Sequence, residues 1–372
     1  MAELQQTGPI AVYGATGYTG RLVAAELVRR GADFVLAGRN RVKLEIVAED
    51  VGGAATAVAP LDDPVALSDL LEPCAAVISC AGPFIAHGEP VVRAAVASST
   101  HYVDTTGEQP FMRRVFDDHG PAAERAGVAL ITAMGFDYVP GDMIAALTAE
   151  GMGPLDEVLL AYAPRGFGAS RGTAKSAIGM LAGGDVEWRD GALVSASQRL
   201  GRGSFDFDPP IGRQRMVRYP AGEQITVPRH VATRNVRTML TAATVVPHER
   251  LAPLAGLAAP LQLALSTPAR WLISKAVERM PEGPSPEARR RARFEVVCEA
   301  TAGSRRRRGV VEGSDVYRLT AVTTVEAALR CAAPGYARSG ALAPSQAFDP
   351  RDFLDSLAAA GLSYEVGPLP AP

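Results

Sequence analysis

Residues Ile10–Gly20 read IAVYGATGYTG, a short apolar run followed at once by glycines at 14, 17 and 20. Leu22, Val23, Ala25, Leu27 and Val28 then follow at helical spacing. The order is strand, tight glycine turn, helix. It is the arrangement that receives the pyrophosphate of a dinucleotide. Gly14 lets the chain turn out of the strand. Gly17 lets backbone approach the phosphates, and Gly20 lets the helix pack closely on the strand. Ala15, Thr16, Tyr18 and Thr19 complete the expected cradle. The phosphates are expected at the helix N-terminus, where N–H groups and the positive dipole end favour an anion. The spacing G-x-x-G-x-x-G is longer by one residue in its first interval than the common G-x-G-x-x-G. Placement between a strand and a helix carries the reading; three glycines alone would not.

Outward from this segment, apolar strands alternate with helices as far as about Leu147. Strands are expected at 34–37, 55–59, 75–80, from 102, and at 128–132. Helices are expected at 41–51, 62–71, 88–98 and 111–126. Ala75–Cys80 (AAVISC) is continuously apolar, as in a strand buried on both faces. The alternation predicts an α/β fold, a Rossmann-type doubly wound parallel sheet over residues 1–147. Beyond Gly151 the texture changes, and residues 148–334 read as a second, mixed α+β domain. It is expected to hold strands at 157–163, 224–227, 294–301 and 310–317. Helices are expected at 173–181, 260–280 and 320–331, with a last one at 349–360. Gly303–Gly309, with four consecutive arginines, has the size of a hairpin loop.

At the end of the second strand stand Arg39 and Asn40, with Arg41 nearby. NAD-specific folds place an acid here for the ribose 2′-hydroxyl. A guanidinium suits a 2′-phosphate instead, so NADP(H) is the expected cofactor. In an open parallel sheet, ligands collect beyond the carboxyl ends of strands. One such exit is Ala81-Gly82-Pro83-Phe84, where small residues would let a cofactor pass and Phe84 could touch the nicotinamide side. The next is Asp104–Glu108, including Thr106 and Gly107. A third is Gly135–Asp142. These loops bring Glu108, Asp137 and Tyr138 toward one rim as candidate proton donors or orienters. Phe136 and the helix start with Arg171, Thr173 and Ser176 are candidate substrate contacts, although a plain N-cap explains the latter equally well. For Asp142, ahead of an apolar helical stretch, capping is the expected role.

The chain has 372 residues, enough for about two domains. Its 38 basic and 40 acidic residues leave a net charge of −2, so no global pull toward nucleic acid or membrane follows. The arginine runs at 289–293 and 305–308 lack an aromatic platform and read as solvated faces. Four cysteines without C-x-x-C spacing and five scattered histidines argue against a disulfide framework or metal site. The N-terminus has no apolar signal core, and no uncharged apolar run approaches the roughly 20 residues of a membrane span. A cytoplasmic protein is expected.

GATGYTG, AGRN with Lys43-Leu44, CAGPF, HGEPVVRAA, HYVDTTGE and GFDYVPGD together resemble the saccharopine dehydrogenase-like NADP-binding oxidoreductases. The branch with the trans-acting enoyl reductases is the nearest. The resemblance is dense over 10–142 and continues in RGTAKS (171–176), GPSPEARRRARFEV (283–296) and GALAPSQAF (340–348). It implies a second domain that covers the nicotinamide and often pairs subunits, giving a homodimer. It also implies that residues 335–372 return to complete the first domain. The activity implied is NADPH-dependent reduction of a polarised C=C (enoyl-type) or C=N (imine-type) bond in a small-molecule or acyl substrate. A catalytically silent NADP(H) sensor, or a partner-binding protein, is the alternative.

Overall fold

The computed structural model describes residues 6–181, 185–196, 202–219, 221–245 and 275–369. The chain forms two compact units. The first joins residues 1–139 with 317–347, and the second joins 140–316 with 348–372.

The first unit opens with β1 (Ile10–Tyr13), α1 (Tyr18–Arg30), β2 (Phe34–Gly38), α2 (Arg41–Asp50), β3 (Ala55–Val58), α3 (Pro64–Leu71), β4 (Ala76–Ser79), α4 (Phe84–Ala97) and β5 (His101–Asp104). It continues through α5 (Gln109–Arg114), a π-helical turn at Val115–His119, α6 (Gly120–Arg125) and β6 (Ala129–Ile131). Local chemistry explains the starts and stops. Asn40 and Asp63 accept the N–H groups of Lys43 and Ala66, capping α2 and α3. Gly31 ends α1 in the left-handed conformation. The expected helix at 111–126 is present with a π-turn in its middle, just before Gly120-Pro121. Helix α4 starts four residues earlier than expected, directly after Pro83, and tolerates Pro90 inside.

The second unit begins in α7 (Val139–Ala149) and continues with β7 (Leu155–Tyr162), α8 (Arg171–Leu181), β8 (Val186–Arg189), β9 (Ala192–Ser195), β10 (Arg202–Asp206) and β11 (Arg213–Arg218). Then come α9 (Glu223–Thr226), β12 (Thr233–Thr241), α10 (Ala242–Val245), α11 (Pro286–Arg291), β13 (Arg293–Ala302) and β14 (Arg305–Ser314). The chain then returns to the first unit with α12 (Val316–Ala332), β15 (Gly340–Leu342) and α13 (Pro344–Ala347), and ends in the second with α14 (Pro350–Ser356) and β16 (Ser363–Val366).

The first sheet has seven strands in the order β15-β6-β5-β4-β1-β2-β3, all parallel. It is doubly wound, with its order reversing beside β1. All four residues of both β1 and β4 are buried, as a strand covered on both faces requires. Strand β15 arrives from the C-terminal part and pairs with β6; no strand was expected at 340–342, although the resemblance placed residues 335–372 with the first domain. The second sheet is mixed, in the order β10-β11-β12-β7-β13-β14-β16. Only its β7–β12 pair is parallel.

Three expectations are corrected here. Residues 224–227 are not a strand, since Glu223–Thr226 forms a helical turn. The 303–309 loop shrinks to a turn at Gly303-Ser304, and all four arginines lie in β14, paired with β13. Finally, the arginines of that run are not a solvated face, Arg306 excepted. Arg305 donates to the Met152 carbonyl, and Arg307 to those of Leu147, Glu150 and Gly367. Arg308 pairs with Glu299 and Asp208. Cations thus meet the carboxyl end of α7, where carbonyls lack helical partners and the dipole is negative. The helix expected at 260–280 falls mostly outside the described residues.

Replacing Arg307 by Ala should lower the unfolding free energy by about 1–2 kcal/mol in urea titrations. The same change at exposed Arg306 should cost less than about 0.5 kcal/mol. Equal losses would show that the arginine does not cap α7.

Candidate active site

The glycine loop is a turn of bare backbone. Gly14 sits at φ +81°, open to glycine and strained for other residues. A Cβ on Gly20 would lie 2.4 Å from the Gly14 carbonyl oxygen. A Cβ on Gly14 would lie 3.0 Å from the Ala81 nitrogen, so the loops after β1 and β4 meet backbone to backbone. Helix α1 starts with no side-chain cap at Gly17 and no acid in its first turn. Uncapped N–H groups with no competing carboxylate fit the pyrophosphate of a dinucleotide.

Arg39 is exposed at the end of β2 and forms no ion pair with a described residue. Tyr13, below it, donates to the Ala59 carbonyl at 2.8 Å. Burial pushes this phenol up to about 12, with Arg39 opposing the rise and Asp62 adding to it. Arg39 thus stands over the edge where β1, β2 and β3 end. Asn40 is committed to capping α2.

The three rim loops are bonded into one platform, and Asp104 is its staple. Its Oδ1 accepts the N–H groups of Thr106 and Ala133, both at 2.9 Å. Its backbone carbonyl accepts that of Met134 at 2.8 Å. Ala133 is held at φ +63° by this arrangement. The Thr106 hydroxyl accepts the Glu108 N–H at 3.1 Å. Glu108, 2% exposed, accepts the N–H groups of Phe84 and Ile85 at 2.9 and 2.8 Å. It thereby binds the start of α4. The Tyr138 hydroxyl donates to the Gly107 carbonyl at 2.8 Å. Both candidate donors are therefore engaged in holding loops. Asp104 itself is fully buried beside the Tyr102 hydroxyl, and burial raises its carboxyl to about 7.

Asp137 differs from all of these. The residue is exposed, and its carboxyl has no hydrogen-bond or ion-pair partner among the described residues. Protein packed around the carboxyl nonetheless desolvates it and raises it to about 6. Every backbone neighbour of this residue is pinned. The Phe136 N–H donates to the Thr320 hydroxyl at 3.0 Å, while Thr323 and Thr324 donate to the Met134 carbonyl at 2.6 and 3.2 Å. These three threonines were not anticipated. The available signal was three hydroxyls inside one helix, where threonine competes poorly unless it bonds elsewhere.

Other expected contacts turn inward. The Phe84 ring is buried against Phe111, with centroids 5.6 Å apart, so it builds the core where a nicotinamide contact was expected. Phe136 is buried as well. At α8 the capping alternative is built: Ser170 accepts the Thr173 N–H at 3.1 Å. Arg171 donates twice to the Met280 carbonyl, and Ser176 lies half-buried a turn beyond. These contacts commit the groups expected to hold substrate to the fold itself. In the second unit, Asp142 does not act as a simple cap. Fully buried in the first turn of α7, it meets His230 Nε2 at 2.9 Å. Tyr162 donates to Glu223 close by, both side chains flanking Gly141. Partners 88 and 61 residues apart leave no signature in spacing. No group of three or more metal-ligating side chains occurs among the described residues. No helix among them is long and apolar enough to cross a membrane.

A doubly wound sheet with a bare glycine loop, an uncapped helix and an unpaired arginine beyond β2 defines a dinucleotide-binding protein. Residues 10–131 match the family model described as the saccharopine dehydrogenase NADP binding domain. Over 149 residues the chain is 32% identical to a trans-acting enoyl reductase of Mycobacterium ulcerans, covering 38% of this chain and 36% of that one. Over 201 residues it is 30% identical to the human saccharopine dehydrogenase-like oxidoreductase, covering 48% and 47%. The chain spans less than half the length of the curated relatives it matches. Apo saccharopine dehydrogenase (L-Glu forming) of Saccharomyces cerevisiae superposes with a TM-score of 0.61 at 15% identity, covering 97% of this chain and 100% of that one. That likeness concerns the fold alone.

Two outcomes test this site. Gly20→Ala should weaken NADPH binding at least about tenfold in a fluorescence titration, because the loop must move off the helix. Unchanged affinity would remove the glycine loop from the site. Across about pH 5 to 8, native stability should fall more steeply than that of Asp104→Asn. A carboxyl raised by folding contributes stability that is complete below its unfolded pKa and lost as pH rises through about 7. Parallel urea-midpoint curves would refute that assignment.

Proposed function

We propose that this protein is an NADPH-dependent reductase acting on a polarised C=C or C=N bond of a small-molecule or acyl substrate. The observation that carries the reading is Asp137. It is a carboxyl on an exposed residue, without a hydrogen-bond or ion-pair partner among the described residues and raised to about 6, on a loop whose Phe136 N–H and Met134 carbonyl are bonded to α12. Bound NADPH supplies the hydride. The loop Gly14–Gly20 holds the pyrophosphate, and Arg39 holds the 2′-phosphate. Ala81, Gly82, Pro83, Thr106 and Gly107 line the carboxyl rim along which the cofactor lies. Asp137 gives a proton to the atom of the double bond that does not take the hydride. Glu108 and Tyr138 orient the rim without donating, since both already bind backbone. In this reading the protein pairs two chains and works in the cytoplasm. The names carried by the relatives support the oxidoreductase class.

The test is NADPH consumption against trans-2-enoyl thioesters and cyclic imines. Asp137→Asn should lower kcat by ~10²–10⁴-fold on the substrate that reacts, with NADPH affinity within about twofold. The wild-type rate should fall as pH rises through about 6, where the acid loses its proton. Tight NADPH binding with no turnover on any member would favour a sensor. Arg39→Ala should cost about 10–100-fold in NADPH affinity and little in NADH affinity; equal losses would remove the 2′-phosphate contact.

A further inference from the structure

Helix α12 touches both halves of the proposed site within the first unit. Tyr317, in its first turn, packs edge-on against Tyr18, the first residue of α1, with centroids 5.1 Å apart and planes at 89°. One turn later, Thr320 accepts the Phe136 N–H, and its methyl would stand 3.4 Å from a Cβ on Gly135. A further turn on, Thr324 and its neighbour Thr323 hold the Met134 carbonyl. Positions 317, 320 and 324 share one helical face. The helix is also locked lengthwise to α1. Arg30, at the end of α1, meets Glu326 at 2.9 Å, and the same Arg30 pairs with Glu26 at 3.0 Å. Glu326 in turn pairs with Arg330 at 2.8 Å. Both glutamates are about 95% buried, so these pairs sit where solvent screens them little. The helix that receives the pyrophosphate and the loop that carries Asp137 thus share α12 as a common support.

We propose that Tyr317 and Thr320 are positioning residues that hold the Asp137 loop in register with the phosphate loop, so that filling the phosphate loop stiffens the loop that carries the acid. The proposal rests on the reductase reading and deepens it. The ligand class that acts through this support is the phosphorylated adenosine-pyrophosphate half of the cofactor, with no nicotinamide required. Neither side chain touches the reacting atoms in this scheme.

The test uses the full chain and 2′-phospho-ADP-ribose, which carries all the phosphates of NADP and lacks nicotinamide. Amide hydrogen exchange is followed at 14–20 and at 133–139. In the wild type both segments should slow about threefold or more when the probe saturates. In Tyr317→Leu, segment 14–20 should still slow while 133–139 does not. Thr320→Val, close in shape, should lose the response at 133–139, and Thr320→Ser should restore it. On a reactive enoyl thioester or imine, Thr320→Val should lower kcat about tenfold and leave the KM for NADPH within about twofold. Wild-type protection at 14–20 without any at 133–139 overturns this proposal and leaves the nucleotide reading standing. Loss of protection at both segments overturns the nucleotide reading and this proposal with it. Full response in both Tyr317→Leu and Thr320→Val also overturns it.

Discussion

At Gly20 the first turn of α1 lies against the loop that precedes it so closely that one methyl group would meet the Gly14 carbonyl. This backbone approach is the constraint on which the site depends. It fixes the helix start at the carboxyl edge of β1, and the sheet order then sets β4, β5 and β6 beside that edge. Each exit loop gains its place from the one before. Ala81 meets Gly14, Glu108 binds the start of α4, and Asp104 binds the β6 exit. The pinned loop leaves one carboxyl over. Asp137 is distinguished by what surrounds it: neighbouring backbone groups are hydrogen-bonded, whereas its carboxyl has no such partner among the described residues.

A buried carboxyl such as Asp104 would be costly without partners, and its two backbone N–H donors offset part of that cost. They do not offset all of it, which is why its proton affinity stays high. The residue works through shape. One oxygen gathers two strand exits that would otherwise leave unpaired N–H groups under the rim. The same economy recurs at Glu108, whose two oxygens take the first N–H groups of a helix that begins with an N-cap proline and therefore lacks a side-chain cap.

The parallel sheet was legible because its signals are local. Glycines at a strand end, continuous apolar runs and Asp-Pro at a helix start each act over a few residues. The tight glycine turn after β1 and the place of Arg39 at the end of β2 were legible for the same reason. The roles of Glu108 and Tyr138 were half visible: position put them on the rim, but only tertiary contacts reveal that their polar groups face backbone. Phe84 followed its hydrophobicity into the core. The pairing of β15, the threonines of α12 and the Asp142–His230 pair left no local signal because their partners lie tens to hundreds of residues away; only the resemblance suggested that the segment with β15 returns. Arg305–Arg308 misled in the opposite direction, since a block of charge beside glycines looks like a loop until the register of β14 is known.

That arginine strand has a wider consequence for the surface. Three of its four guanidiniums end on carbonyls or carboxylates of the second unit. Only Arg308 meets carboxylates, so Arg305 and Arg307 are anchored by neutral carbonyls and keep their charge. A passing polyanion would meet positive charge there, but at Arg305 and Arg307 some of the N–H groups that would grip it are already spent on the fold.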